Sequence, residues 1–99
     1  MTRKLIIYHP GKILREEFLI PAQISSVQLA RGINVSNKII KELLAEERDL
    51  TKDIATRLAL YFSTAPAFWI NLQSNYDEEQ VEKSLFKNLK KEIQPLSHY

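Results

Sequence analysis

Between Ser26 and Leu44 the chain carries side chains whose types and spacing suit reading a nucleic acid. Asn37 can pair in bidentate fashion with the edge of an adenine, and Lys38 or Lys41 can reach guanine acceptors or a phosphate. Ile39, if exposed, can touch a thymine methyl. Upstream, Ser26 and Gln28 suit phosphate contacts, which set register without reading sequence. Ser36, Glu42 and Arg48 complete the candidate DNA-contacting set. Each well-made base contact contributes about 1–3 kcal/mol of discrimination. The chemistry requires Asn37, Lys38, Lys41 and Glu42 to share one exposed helix face.

The elements that would create that face are legible around it. Ser25 or Ser26 offers a side-chain acceptor for free helix amides, opening a short helix from Val27 to about Arg31. Gly32-Ile33-Asn34-Val35 breaks it, and Asn34 suits a left-handed turn position. Ser36 is the next N-cap, opening a helix from Asn37 to roughly Ala45, with Ile40, Leu43 and Leu44 at three- and four-residue spacing. Two short helices joined by such a turn are the sequence form of a helix-turn-helix, whose second helix lies in the major groove. Leu29, Ala30, Ile33, Ile40 and Leu43 form its expected core, the small Ala30 allowing a close crossing. The patterning also fits a plain five- or six-helix bundle with solvated polar faces.

The fold class expected for the whole chain is all-α, with five to six helices and a C-terminal helical tail. The chain has only two glycines and four prolines, which disfavours a fold rich in hairpins. A first helix starts near Pro10-Gly11, buries Ile13, Leu14 and Phe18, and ends near Ile20 because Pro21 disfavours helical geometry before it. Thr51 caps a fourth helix with Asp53 in its first turn and Ile54, Ala55, Leu58, Ala59 and Phe62 inward. Pro66 starts a fifth through Phe68, Trp69, Leu72 and Tyr76. Asp77 caps a sixth, Glu78 to about Glu92, with Val81, Leu85, Phe86 and Leu89 apolar. The expected organisation is an N-terminal arm over 1–8, a helix-turn-helix domain over 9–77, and a helix and tail over 78–99 that frays from Gln94. Leu5-Ile6-Ile7 has the composition of a short edge strand.

Ninety-nine residues form one domain with a core of its own. The absence of cysteine excludes disulfides, thiolate metal sites and a cysteine nucleophile. His9 and His98 lie too far apart to form a metal pair by local spacing, and no glycine loop is built to cradle phosphate. No enzyme, metal or cofactor is expected. No run approaches the roughly 18 apolar residues of a membrane span, and the opening residues lack a secretory signal, so the expected location is cytoplasmic. Net charge is +2, short of the strong basic footprint of many nucleic-acid binders. The segment from Ser25 to Arg48 holds four basic residues against three acidic. Arg3, Lys4, Lys12 and Arg15 are met by no acid in the first fifteen residues.

Two further patches have competing readings. Phe68 and Trp69, with Tyr61, Phe62 and Tyr76, have the ring chemistry of a base-stacking platform. Trp69, Leu72 and Tyr76 also fall on one helix stripe, so Phe68, Trp69, Leu72 and Tyr76 read as core or as a symmetric dimer interface. Lys83, Lys87 and Lys90 or Lys91 line one side of the last helix, either as a solvated face or as a toxin- or DNA-contacting surface.

Three segments carry a resemblance to a known family. His9-Pro10-Gly11-Lys12-Ile13-Leu14-Arg15-Glu16-Glu17-Phe18-Leu19 resembles the HPGEIL-x-EEFL opening of the HigA antitoxins, also called the virulence-associated protein I family. Thr56-Arg57-Leu58-Ala59-Leu60-Tyr61-Phe62 resembles their A-x-RLA-x-x-F helix. Pro66-Ala67-Phe68-Trp69-Ile70-Asn71-Leu72-Gln73, followed by Tyr76-Asp77, is similar to PEFWLNLQ-x-x-YD. The resemblance implies a phage-repressor-like helical fold and a homodimer on a palindromic operator in double-stranded DNA. It also implies a HigB-type toxin partner that cleaves mRNA on the ribosome, and repression of the operon encoding both.

The chain departs from the family in ways that bear on DNA. Ala45-Glu46-Glu47-Arg48 stands where members carry an asparagine-glycine-lysine/arginine-arginine run, so a turn glycine becomes Glu46 and a basic residue becomes Glu47. Acids near the phosphates weaken non-specific affinity and lower its salt dependence. Ile39 stands where many members carry a polar or basic residue, Asn34 replaces a turn glycine, and Ala65 replaces a helix-capping serine, at about 1 kcal/mol. A free-standing repressor without a toxin and a protein-interaction module with lost DNA affinity are the alternative functions.

Overall fold

A chain with two glycines must end its helices by other means than the usual left-handed glycine. The computed structural model describes residues 6–96, and among these it contains five helices and no strand. Helix α1 covers residues 10–22 as three continuous pieces, Pro10–Ile13, a π-helical Leu14–Leu19 and Ile20–Ala22. It is followed by α2 (Ser26–Ile33), α3 (Asn37–Leu44), α4 (Lys52–Phe62) and α5 (Pro66–Glu92). Gln23, Asn34, Glu46 and Ser63 adopt φ of 57°, 57°, 63° and 57° at the four chain reversals. Asn34 takes this position at little steric cost; the other three are side chains that rarely visit it.

Both glycines are needed for close approach instead. A Cβ on Gly11 would collide with the carbonyl oxygen of Leu43, and one on Gly32 would collide with the ring of Tyr61. Gly11 thus lets the start of α1 abut the end of α3, while Gly32 lets α2 lie against α4. Gly32 and Ile33, expected to belong to the break, are the last residues of α2, and the reversal falls on Asn34 alone.

Two boundaries differ from expectation. Pro21 lies inside the last turn of α1 rather than ending it at Ile20. The preceding turns are wound wider: the amide of Ile20 donates to the carbonyl of Arg15, five residues back. This register change accommodates a residue that has no amide to donate and whose ring would clash with the preceding turn of a regular helix. The helix stops two residues later at Gln23. The expected fifth and sixth helices are one continuous α5, making five helices. Asp77 does not cap a new helix; its Oδ1 accepts from Gln73 Nε2 at 2.8 Å within the same one. Ser74, Asn75 and Asp77 are weak helix formers, but none of them forces a break.

The core forms where the elements cross. Leu14, Leu29, Ile40, Leu43, Leu58 and Trp69 are fully buried, joined by Leu19, Ala30, Ile33, Leu50, Ile54, Ala55 and Ala59. Ile13, Phe18 and Phe62, expected inside, are half-buried. Beyond Asp77 the side chains of α5 are exposed except for half-buried Glu79. Ile6 and Ile7 are in no strand, while Leu5, Arg3, Lys4 and His98 of the expectations above lie outside the described residues.

These positions predict opposite responses to similarly small changes. Gly11→Ala destabilises the fold by about 1–3 kcal/mol, because the methyl group must push α1 off α3. Glu46→Gly stabilises it by about 1 kcal/mol by relieving a left-handed side chain. Urea melts followed by circular dichroism measure both; equal midpoints for the two variants would contradict this account.

Candidate nucleic-acid interface

The candidate reading helix is α3, and both of its ends are fixed by side chains. Ser36 Oγ accepts from the amide of Ile39 at 3.3 Å. At the other end, the Arg15 guanidinium donates to the carbonyl of Leu44. The partner helix α2 is held in the same way. Ser25 Oγ accepts from the amide of Gln28 at 3.1 Å, and Gln28 Oε1 accepts from the amide of Ser25 at 3.0 Å, a reciprocal capping box. At its C-terminus Arg57 donates to the carbonyl of Ile33 at 2.9 Å, while its Nε pairs with Asp53 at 2.8 Å. Leu29, Ala30, Ile33, Ile40 and Leu43 are buried between and beneath the two helices.

This framing leaves Asn37, Lys38, Lys41 and Glu42 together on one face, where with Ala45 and Glu47 they line a surface depression. Lys38 and Lys41 are exposed, and neither makes an ion pair among the described residues. Glu42 accepts from Arg48 Nε at 3.0 Å and from its Nη2 at 2.9 Å. The expected cation Arg48 is therefore occupied, and Glu42 is what occupies it. Asn37 is half-buried, with Oδ1 shielded from solvent and without a hydrogen-bond partner. Bidentate pairing with adenine requires its amide to turn outward. Ile39 is half-buried and packs against the core rather than facing outward. Of the upstream pair, Gln28 is exposed and Ser26 half-buried. Because Gln28 Oε1 is held in the capping box, its Nε2 is the group left to donate. Ser36 is exposed with its hydroxyl engaged as the cap.

The aromatic stripe is mostly internal. Trp69 is fully buried, donates from Nε1 to Thr64 Oγ1 at 2.8 Å, and packs against the rings of Phe18, Phe62 and Phe68. Leu72 packs on the core, Tyr76 lies edge-on to His9 at 4.9 Å, and Phe68 is exposed on its outer side. Trp69 therefore presents no face for base stacking.

Sequence reasoning missed the polar side chains that lock this arrangement. Arg15 stands out in the sequence only as an early basic residue, and Arg57 only as part of the segment Thr56 to Phe62. His9 is buried, and its Nδ1 accepts from the amide of Gly11 at 2.9 Å, capping α1. Gln73 is buried as well; its Oε1 accepts from the amide of Leu50 at 2.7 Å, while its Nε2 reaches Asp49 at 3.3 Å and Asp77. The signal for Gln73 was its place four residues after Trp69, on the buried stripe.

No protein-family model matches the chain. It is 43% identical over 75 residues to virulence-associated protein I of Dichelobacter nodosus, an alignment covering 76% of this chain and 69% of that protein. Among solved structures, the Pseudomonas aeruginosa antitoxin HigA, determined with the higBA promoter, superposes with a TM-score of 0.81 at 40% identity. That match covers 93% of this chain and all of the other. The chain belongs to the HigA antitoxin family. The antitoxin GraA, solved in complex with its operator, is also similar, with a TM-score of 0.80 at 32% identity over 99% of both chains. Glu46 occupies a left-handed position, φ 63°, which a glycine would adopt without strain.

Closing α2 with Arg57 has a measurable consequence. Arg57→Ala leaves the carbonyl of Ile33 part-buried and unpaired and lowers stability by about 1–2 kcal/mol. Arg57→Lys recovers only part of the loss, since an ammonium cannot serve Ile33 and Asp53 in the same fork. Thermal melts of the three proteins distinguish this from a surface charge whose removal changes nothing.

Proposed function

We propose that this HigA-type chain is a DNA-binding antitoxin and transcriptional autorepressor of a toxin–antitoxin operon. It binds a palindromic operator as a homodimer and neutralises a HigB-type mRNA-cleaving toxin in the cytoplasm. The observation that carries the DNA half is the unpaired couple Lys38 and Lys41, beside Asn37, on a helix fixed at both ends. Rigid framing matters because base readout depends on side chains being held in register with the groove. Promoter- and operator-bound relatives in the same fold support the same reading. No helix among the described residues is long and apolar enough to cross a membrane. The toxin partner rests on family membership.

Gel-shift titration against the chain's own upstream DNA, at two salt concentrations, tests the proposal. A discrete complex that outcompetes unrelated DNA and weakens as salt rises is the expected result. Changing Lys38 and Lys41 together to alanine weakens operator binding by about a thousand-fold, at roughly 1 kcal/mol for each contact in each subunit, with dimerisation intact. An unchanged affinity would place the reading helix elsewhere. No shift at micromolar protein and low salt would leave a protein-interaction module.

The Glu42–Arg48 pair gives a second, opposite prediction. Glu42→Gln releases the guanidinium and removes an acid from the reading face. Affinity for DNA rises several-fold, and the slope of log affinity against log salt steepens by about one for each freed phosphate contact. A parallel Arg48→Ala variant leaves Glu42 unpaired on that face and lowers affinity, and Arg48→Ala added to Glu42→Gln removes the part of the gain that the freed guanidinium supplies.

A further inference from the structure

The groups that α3 can hold out to a groove decide which base answers them. In the major groove adenine offers an acceptor beside a donor, and cytosine offers a donor. Thymine offers an acceptor beside a methyl group, and guanine offers two acceptors, N7 and O6. Adenine is therefore read by an amide that both gives and takes a hydrogen bond, cytosine by a carboxylate, and thymine by an apolar contact. Guanine alone is read by donors only.

Three of these four modes are withdrawn from the N-terminal half of α3, the half from which such a helix reads bases. Asn37 Oδ1 is shielded from solvent, so the amide offers the groove only its donor, Nδ2. Ile39 packs against the core and Ile40 is fully buried, so no apolar side chain stands out for a thymine methyl. Both carboxylates of the depression lie elsewhere. Glu42 belongs to the C-terminal half, where its Oε1 is held by Arg48 at 3.0 and 2.9 Å, and Glu47 lies beyond the end of the helix. What remains is a set of donors. Lys38 is exposed and makes no ion pair among the described residues. Gln28 has its Oε1 engaged by the amide of Ser25 at 3.0 Å, which leaves Nε2. The hydroxyl of Ser36 accepts from Ile39 and keeps its own proton to give.

From this asymmetry we infer that the reading face is specific for guanine, with Lys38 Nζ and Asn37 Nδ2 donating to guanine N7 and O6 in each half-site. The inference rests on the DNA-binding reading above and deepens it by naming the base that α3 selects. Adenine or cytosine in the same place would set an amino group against a donor. Thymine would meet one donor and leave its methyl group unmatched, so it ranks between them and guanine.

Selection from a duplex library randomised over about two helical turns tests this without presupposing an operator. The expected product is a pair of two-fold-related half-sites, each fixed at a guanine. In a duplex of the selected sequence, 7-deazaguanine, which lacks the N7 acceptor, lowers affinity by about five-fold for each half-site changed. Inosine in place of that guanine keeps both acceptors and changes nothing, and 7-deazaadenine at neighbouring adenines changes nothing either. The variant that combines Asn37→Ala with Lys38→Ala binds the natural and 7-deazaguanine duplexes alike at low salt. Its thermal melt is not lowered, because alanine is the better helix former at both positions. Half-sites fixed at adenine or thymine, or a specific complex weakened by 7-deazaadenine and not by 7-deazaguanine, would overturn the inference and leave specific DNA binding standing. Recovery of no common sequence by the folded protein would overturn both.

Discussion

The candidate reading helix α3 and its partner α2 depend on the closing of their carbonyl ends. An eight-residue helix leaves half of its carbonyls without an internal partner, and such a helix is not stable alone. In most chains a glycine reversal and solvent meet that need. Here α2 ends on Asn34 and α3 on the strained Glu46, and each also receives a guanidinium from elsewhere: Arg57 of α4 on Ile33, Arg15 of α1 on Leu44. The two arginines do more than satisfy acceptors. They place positive charge at the negative end of each helix dipole, and they tie the orientation of the helix-turn-helix to the two helices that flank it.

The same frame explains why α5 carries so specific a string of residues. Trp69 fills the centre of the core and anchors Thr64, Gln73 gathers the amide of Leu50 and the carboxylates of Asp49 and Asp77, and Tyr76 leans on His9. His9 in turn caps α1 beside Gly11, the residue that lets α1 reach the end of α3. A continuous chain of contacts therefore runs from α5, through the loop before α4 and through the start of α1, to the end of the reading helix. The spacing of Trp69, Gln73, Tyr76 and Asp77 is the spacing of one helix face addressing these partners in order.

Local signals in the sequence were read well where one residue decides the outcome. Ser36 and Thr51 cap their helices, and Ser25 rather than Ser26 caps α2, because a short hydroxyl side chain at that place has one dominant use, and Asn34 turns left for a similar reason. The buried set Leu29, Ala30, Ile33, Ile40 and Leu43 followed from periodicity. What was not legible depends on distant partners. Pro21 looked like a stop because the widening of α1 that accommodates it is a property of the whole helix. Asp77 looked like a cap because its acceptor role within α5 depends on Gln73. Arg48 looked like a DNA cation because nothing local marks Glu42, six residues earlier, as its partner across the turn after α3. Charge counted along the chain misjudges the face when the pairing is across it.

That pairing sets the character of the interface. With Arg48 held by Glu42, Ile39 drawn inward and Asn37 holding its oxygen out of solvent, the proposed face of α3 offers DNA two lysines, Lys38 and Lys41, that make no ion pair among the described residues. Counterion release scales with the number of phosphates neutralised, so one half-site contact is weak and its salt dependence shallow. A palindromic operator changes the arithmetic, because the second half-site is then met at the high effective concentration that a dimer provides. A protein with a sparse reading face consequently depends on its dimer more than one with a strongly basic face does.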